Sequence, residues 1–177
     1  LKPHDIFICG ETFSDDDALH IQGFKCKNIL RSKKHKKAKR NSGGVSVLTR
    51  TNIANFVTPI KTTAEHFIWM KISKQLTGYP KDTYCCCSYI PPYGSPYYTS
   101  HPECNLFDSL QEDLTNFGKL GHVMVSGDLN ARIGNRPDTL LDTNINPLID
   151  DTPNIKTIRP PPRHSMDNKS NAWGNKL

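Results

Sequence analysis

The chain has no CxxC pair, no apolar run near membrane-spanning length and no basic-then-apolar leader segment. A membrane helix needs about 20 apolar residues, so none is expected here. A secretory leader would show its charged and apolar blocks at the start, and these 177 residues begin instead with "LKPHDIFICG". Leu1 stands where a native start would carry Met, so the first residue is expected not to be the natural one. Without CxxC spacing, the six cysteines (Cys9, Cys26, Cys85, Cys86, Cys87 and Cys104) do not argue for a zinc site or a disulfide framework. Three of them are consecutive in "DTYCCCSYI", where strand alternation points neighbouring side chains to opposite faces. That suits buried small apolar residues in a reducing compartment. The expectation is an intracellular protein, nuclear or cytoplasmic, neither secreted nor membrane-bound.

Acidic counter-charge is missing from one segment in particular. The net charge is +6, and residues 31–40, "RSKKHKKAKR", hold seven of the 23 basic residues and no acid. The other 16 basic residues face 17 acidic ones, so the rest of the chain is nearly neutral. Like charges at this density repel and resist packing, which predicts an exposed loop over about 31–42. Two readings of it stay open. It is a solvated loop, or Arg31, Lys33, Lys34, Lys36, Lys37, Lys39 and Arg40 form a nucleic-acid contact or nuclear-localisation patch. Clustered cations attract phosphates without reading sequence.

The hydrophobic share of 36% is enough for one core, and the length suits one domain. "DIFICGET" (5–12) reads as a strand ending at Glu11. "NSGGVSVLTR" (41–50) puts a glycine pair before alternating Val45 and Val47, a turn followed by a strand. "EHFIWMKIS" (65–73) and "DTYCCCSYI" (82–90) are further strands. "PPYGSPYYTSHP" is a Pro- and Tyr-rich loop, and "SHPE" predicts a capping box at Ser100 and Glu103. Phe107, Leu110, Leu114 and Phe117 follow at helical spacing, and "GHVMVSGD" is the next strand. From 131 to 177 the chain is rich in Pro, Asn, Asp and Arg, most of all over 135–165, and reads as loop. The pattern predicts one layered α/β or α+β domain with sheets not fully closed by its last 47 residues.

Polar groups that could do chemistry sit at strand ends. Glu11 follows "DIFICG", Tyr89 ends "DTYCCCS", and Asp128 and Asn130 end "HVMVSG" in "VSGDLNAR". Strand ends on one side of a sheet are where α/β proteins commonly assemble sites. An acid that holds a hard divalent cation, with a second acid to activate water, is a workable set for phosphodiester hydrolysis. Asp128 and Asn130, two apart, project to the same side if the strand continues through them. Asp and Asn are also common turn residues, so a plain turn stays open.

"DIFICGET", "GGVSVLTR", "YIPPYGSPYY", "VSGDLNARIG" and "RHSMDNKSNAWGNKL" occur in that order. Together they resemble the endonuclease/exonuclease/phosphatase superfamily, and most of all the endonuclease domain of non-LTR (LINE-type) retrotransposons. The resemblance spans about residues 3–177 and implies a DNase I-like four-layer α/β sandwich. It implies Mg²⁺ or Mn²⁺ as cofactor, DNA bound through its phosphate backbone as partner, and a reverse transcriptase domain downstream in a longer protein. By the same likeness Glu11 binds the metal, Tyr89 hydrogen-bonds the scissile phosphate, Asp128 orients or deprotonates the attacking water, and Asn130 holds phosphate and Asp128 in place. Arg132 is expected to be structural or a backbone contact, Asp167, Asn171 and Gly174 to serve the fold, and His164 to be an ordinary loop histidine.

The family's pattern also contains a first strand with a metal-site Asn, which falls before Leu1, and later strands with an Asp and an Asp–His pair, which fall beyond Leu177. The expectation is therefore an incomplete domain, a fragment or decayed copy with little or no turnover and exposed sheet edges. Two other functions remain open. One is a non-catalytic nucleic-acid-binding remnant working through 31–40. The other is a different phosphoesterase of the same superfamily, since the scaffold alone does not choose a substrate.

Overall fold

In a computed structural model, residues 5–13, 21–29, 43–62, 66–136 and 166–177 are described. The seven cations of 31–40, His164 and most of the 135–165 segment lie outside them. The chain is mixed α/β, with two sheets and few helices. It divides into two compact units, Leu1–Asn130 and Ala131–Leu177.

The first unit holds both sheets. β1 (Ile6–Gly10), β2 (Phe24–Ile29) and β3 (Val45–Arg50) form an antiparallel sheet in the order β1-β3-β2. β4 (Val57–Ile60), β5 (Phe67–Ile72), β6 (Thr83–Tyr89) and β7 (His122–Asp128) form the second, in that order. Among the described strands only β6 and β7 pair in parallel. A short helix, α1 (Lys74–Thr77), joins β5 to β6, and the crossover from β6 to β7 contains α2 (Pro96–Ser100) and α3 (Leu106–Gly118), as a parallel pair requires.

The sheets face each other across one core. Val45 and Val47 of β3 meet Ile68, Met70 and Ile72 of β5 and Cys85, Cys87 and Tyr89 of β6. Each set recurs at every second residue, the period of a pleated strand. The alternate residues of β5 and β6 face α3. Trp69, fully buried, packs on Phe117 and donates from Nε1 to Asp113 Oδ2 at 2.7 Å, and Tyr84 stacks on the same Phe117 ring. Leu106, Phe107 and Leu110 complete that buried helical face.

The triple cysteine divides between the two faces as alternation predicts. Cys85 and Cys87 join the inter-sheet core while Cys86 lies on the helix side, and all three are buried free thiols. A hydrogen bond with Cys85, together with burial, pushes the Cys87 thiol far up; burial does the same to Cys86. Such thiols stay protonated and inert at neutral pH.

Several boundaries differ from expectation. Ser100 and Glu103 form no capping box. Ser100 ends a short helix, α2 (Pro96–Ser100), and its Oγ donates to the Pro96 carbonyl. Ser95 caps α2, and Asn105 caps α3 by accepting from the Asp108 N–H. The proline at the first turn of α2 and the Asn ahead of α3 suit those positions. Strands β2 and β4 are additional to the sequence reading. Both are edge strands, and each carries residues that blur a strand signal: Lys25 and Lys27 alternate along β2, and Pro59 interrupts β4. An edge tolerates both, because an outward N–H needs no ladder partner and charge discourages further strand addition.

Candidate active site at three strand ends

Three of the four positions picked from the sequence in the first unit, Glu11, Tyr89 and Asp128, lie close together. Tyr89, the last residue of β6, stands directly beside Asp128, the last residue of β7, in the parallel register. Both fall on the face turned toward the three-stranded sheet, where Glu11 follows the end of β1. Tyr89 is buried to 8% exposure, and its hydroxyl donates to Glu11 Oε1 at 2.8 Å. Glu11 and Asp128 are exposed, so two carboxylates flank a buried phenol at the rim of the core.

Backbone geometry at this rim is unusual for its residue types. Glu11 and Phe13 both have φ of 51°, and Asn130 has φ of 47°. Left-handed conformations cost non-glycine residues energy and persist only where surroundings impose them. At Glu11 the surroundings are the Gly43–Gly44 pair ahead of β3. Thr12 N–H donates to the Gly44 carbonyl at 3.4 Å, and Phe13 N–H to the Gly43 carbonyl at 3.1 Å. A Cβ on Gly44 would stand 2.6 Å from Thr12 Oγ1, so the turn after Glu11 lies directly against that glycine.

At the other end, Asn130 lies in a turn, one of the two readings the sequence left open. The strand stops at Asp128, and Asn130 does not project beside it as a second strand residue. The chain turns instead. Asn130 N–H donates to Asp128 Oδ1 at 2.8 Å, and Asn130 Nδ2 donates to the Ile90 carbonyl at 2.8 Å. Ile90 N–H donates in return to the Asp128 carbonyl at 2.9 Å. Asn tolerates this conformation and bonds its own backbone surroundings, which is why turns favour it. The turn holds one Asp128 carboxylate oxygen.

Gly127 is a site-building residue that the sequence reading passed over. Its φ is 127°, and a Cβ there would lie 2.0 Å from the Ser88 carbonyl oxygen. Only glycine lets β7 approach β6 closely enough to place Asp128 beside Tyr89. The glycine before the acid was visible in "SGDLN", but its contact, 39 residues away in sequence, was not.

Arg132, Asp167, Asn171 and Gly174 belong to the second unit and bond to one another there. Arg132 Nε bonds Asp167 Oδ2 at 2.6 Å, and Asn171 Oδ1 accepts from Arg132 N–H and Gly174 N–H at 3.0 and 2.8 Å. The Arg132 guanidinium holds the Asp167 carboxyl below the usual carboxylate range.

The donor chemistry bears on which metal could be held. Among the described residues no group of three or more His, Cys, Asp or Glu side chains converges on one point. Zinc sites are built from such groups, whereas Mg²⁺ commonly takes one or two carboxylates and fills the rest with water and substrate phosphate. Glu11, hard, exposed and with one oxygen tied to Tyr89, fits the second pattern. In comparisons of the whole chain, no protein-family model and no curated protein matches it.

Proposed function

We propose that this chain is a Mg²⁺- or Mn²⁺-dependent phosphodiester hydrolase with a DNase I-like four-layer fold, a DNA endonuclease of the LINE retrotransposon type. The observation that supports it most is the hydrogen bond from buried Tyr89 to Glu11, with Asp128 as the register neighbour of Tyr89. The ordered motifs named above incline the reading toward the retrotransposon branch and toward a longer protein with a reverse transcriptase domain.

In this reading Glu11 holds the divalent cation, which when bound neutralises phosphate charge and supplies Lewis-acid stabilisation. Tyr89 turns its hydroxyl from Glu11 to a non-bridging phosphate oxygen. Burial fixes the ring, so the donor needs little reorganisation as charge builds on that oxygen. Asp128 accepts the proton of the attacking water on a carboxylate oxygen. Asn130 acts through Asp128 and Ile90, as a positioning residue. We expect low turnover from these 177 residues, because among the described residues two carboxylates and one phenol serve the reaction.

Supercoiled plasmid incubated at high protein concentration tests the reading. Slow Mg²⁺-dependent nicking is expected, stopped by EDTA and by Asp128→Ala, and lowered about 10²-fold by Tyr89→Phe, the usual loss for one donor to a developing oxyanion. Nicking that persists undiminished in the Asp128→Ala protein would sink the assignment. The concentration of seven cations within 31–40 supports a second reading, a non-catalytic nucleic-acid binder. Its signature is metal-independent binding that weakens steeply with salt and disappears when those charges are neutralised.

A further inference from the structure

The carboxylate at the end of β1 stands on a turn that its residue types do not favour. Glu11 and Phe13 both have φ of 51°, so two of three consecutive residues are left-handed without being glycine. Such a conformation persists only where neighbours impose it. Two backbone bonds supply part of the hold, from Thr12 N–H to the Gly44 carbonyl at 3.4 Å and from Phe13 N–H to the Gly43 carbonyl at 3.1 Å. The first is long for an N–H donor, which ordinarily sits about 2.9 Å from its acceptor. Hydrogen bonding alone is a weak clamp on the residue next to Glu11.

Packing supplies the rest. The Thr12 side chain occupies the space that a side chain at Gly44 would need, with Oγ1 2.6 Å from the position of such a Cβ. The Ile29 carbonyl oxygen, at the end of β2, would lie 3.5 Å from the same Cβ. Thr12 Oγ1 is buried there and has no hydrogen-bond partner among the described residues. A buried hydroxyl without a partner destabilises, so what Thr12 contributes in this place is shape. Its β-branched side chain is stiff, which suits a wedge. Glu11 is thus held from two directions, by this turn at its backbone and by the Tyr89 hydroxyl at Oε1, 2.8 Å away.

We propose that Gly44 and Thr12 are positioning residues for Glu11. The bare Gly44 Cα admits the Thr12 side chain as a wedge, and the wedge keeps the carboxylate in reach of Tyr89 and of a divalent cation. This rests on the metal reading of Glu11 given above. Both residues act through the Glu11 backbone and neither is a ligand. Mg²⁺ and Mn²⁺ are commonly held by one or two carboxylates, so each one's placement counts. Groups behind a metal ligand fix its orientation, and losing one weakens metal binding by roughly 10- to 100-fold.

The test is Mn²⁺ binding to the full chain without nucleic acid, read from the electron paramagnetic resonance signal of the free ion. Circular dichroism confirms that each variant is folded. The native chain should bind an ion that Glu11→Gln loses. Thr12→Ala, which empties the space, and Gly44→Ala, which overfills it, should each weaken binding about tenfold. Thr12→Val keeps the branched shape and removes only the unpartnered hydroxyl, so it should bind Mn²⁺ as the native chain does and melt no lower. Native affinity in Thr12→Ala overturns the proposal, and does so even if Gly44→Ala fails to fold. A Thr12→Val loss equal to that of Thr12→Ala overturns it too, because the hydroxyl and not the wedge would then matter. So does Mn²⁺ binding that survives Glu11→Gln, or no binding by the native chain. Loss of Mn²⁺ in Thr12→Ala, with no plasmid nicking by the native chain, would keep this inference and remove the hydrolase reading. Mg²⁺-dependent nicking with unchanged Mn²⁺ affinity in Thr12→Ala would do the reverse.

Discussion

The two compact units bury different things. In Leu1–Asn130 the interior is Trp69, Met70, Ile68, Val47 and the three cysteines, large or soft apolar groups removed from water. Among the described residues of Ala131–Leu177 the buried ones are two glycines, Gly134 and Gly174. The bonds shown among those described residues are polar: Asn171 to two backbone N–H groups, Asn135 to Asn168, Arg136 Nη1 to the Gly174 carbonyl, and a bridge pairing Ile133 with Ser170. Apolar burial is cooperative and insensitive to salt, whereas exposed polar bonds exchange with water and contribute little each. The first unit is therefore expected to melt as a block and the second to open locally at much lower cost.

Substituting glycine by alanine in each unit gives the largest contrast. Gly127→Ala puts a Cβ 2.0 Å from the Ser88 carbonyl oxygen in a conformation that side chains avoid, and should cost about 3 kcal/mol or more. Gly174→Ala meets the Arg132 carbonyl oxygen at 1.9 Å, an equal clash on paper. Denaturant melts followed by circular dichroism should show the first change and scarcely register the second, whose effect should appear as faster hydrogen exchange over 166–177. Equal melting losses from both would erase the distinction between the units.

A medium effect is expected under α3. Asp113→Ala leaves the buried Trp69 N–H without its acceptor and should cost about 1–3 kcal/mol, while Asp113→Asn keeps an acceptor and most of the stability. Burial pushes the Asp113 carboxyl above its ordinary value, with the Trp69 hydrogen bond opposing. A raised folded value means that the folded chain binds this proton more tightly than the unfolded chain. Its contribution to stability is full below the unfolded value and is lost as pH rises through the folded one. Urea melts from neutral to mildly acidic pH should show the native chain gaining stability relative to Asp113→Asn as pH falls; parallel curves would refute the linkage.

The smallest effect belongs to the second unit's ion pair. Arg132 and Asp167 are 54% and 41% exposed, so solvent screens them. Arg132→Ala should leave the melting midpoint of the first unit unchanged, with only a salt-sensitive rise in exchange near 132 and 167. A clear drop in that midpoint would show that the second unit's bonds support the first.

Legibility in the sequence follows the same division. β1, β3, β5, β6 and β7 were readable as β-rich apolar runs, and α3 from apolar residues at helical spacing. β2 and β4 escaped because edge strands carry lysine and proline without penalty. The capping of α2 and α3 went to Ser95 and Asn105 instead of Ser100, since a local signature is matched by several nearby polar residues and packing chooses among them. At the site, the residue types of Glu11, Tyr89 and Asp128 and their places at strand ends were legible. The turn at Asn130 was not, because its direction depends on the Ile90 carbonyl, 40 residues away.

By itself the sequence determined the alternation that builds the core, the helix over 106–118, the burial of the three consecutive cysteines and the choice of acids and phenol at three strand ends. These are properties of period and residue type, and they travel with the chain. Only the tertiary structure decided that the three ends meet, that Tyr89 donates to Glu11, that Gly127 must have no side chain and that Asn130 turns back onto Ile90. Each of those depends on which strands become neighbours, and that is settled by how two sheets and a helix bury their apolar faces together.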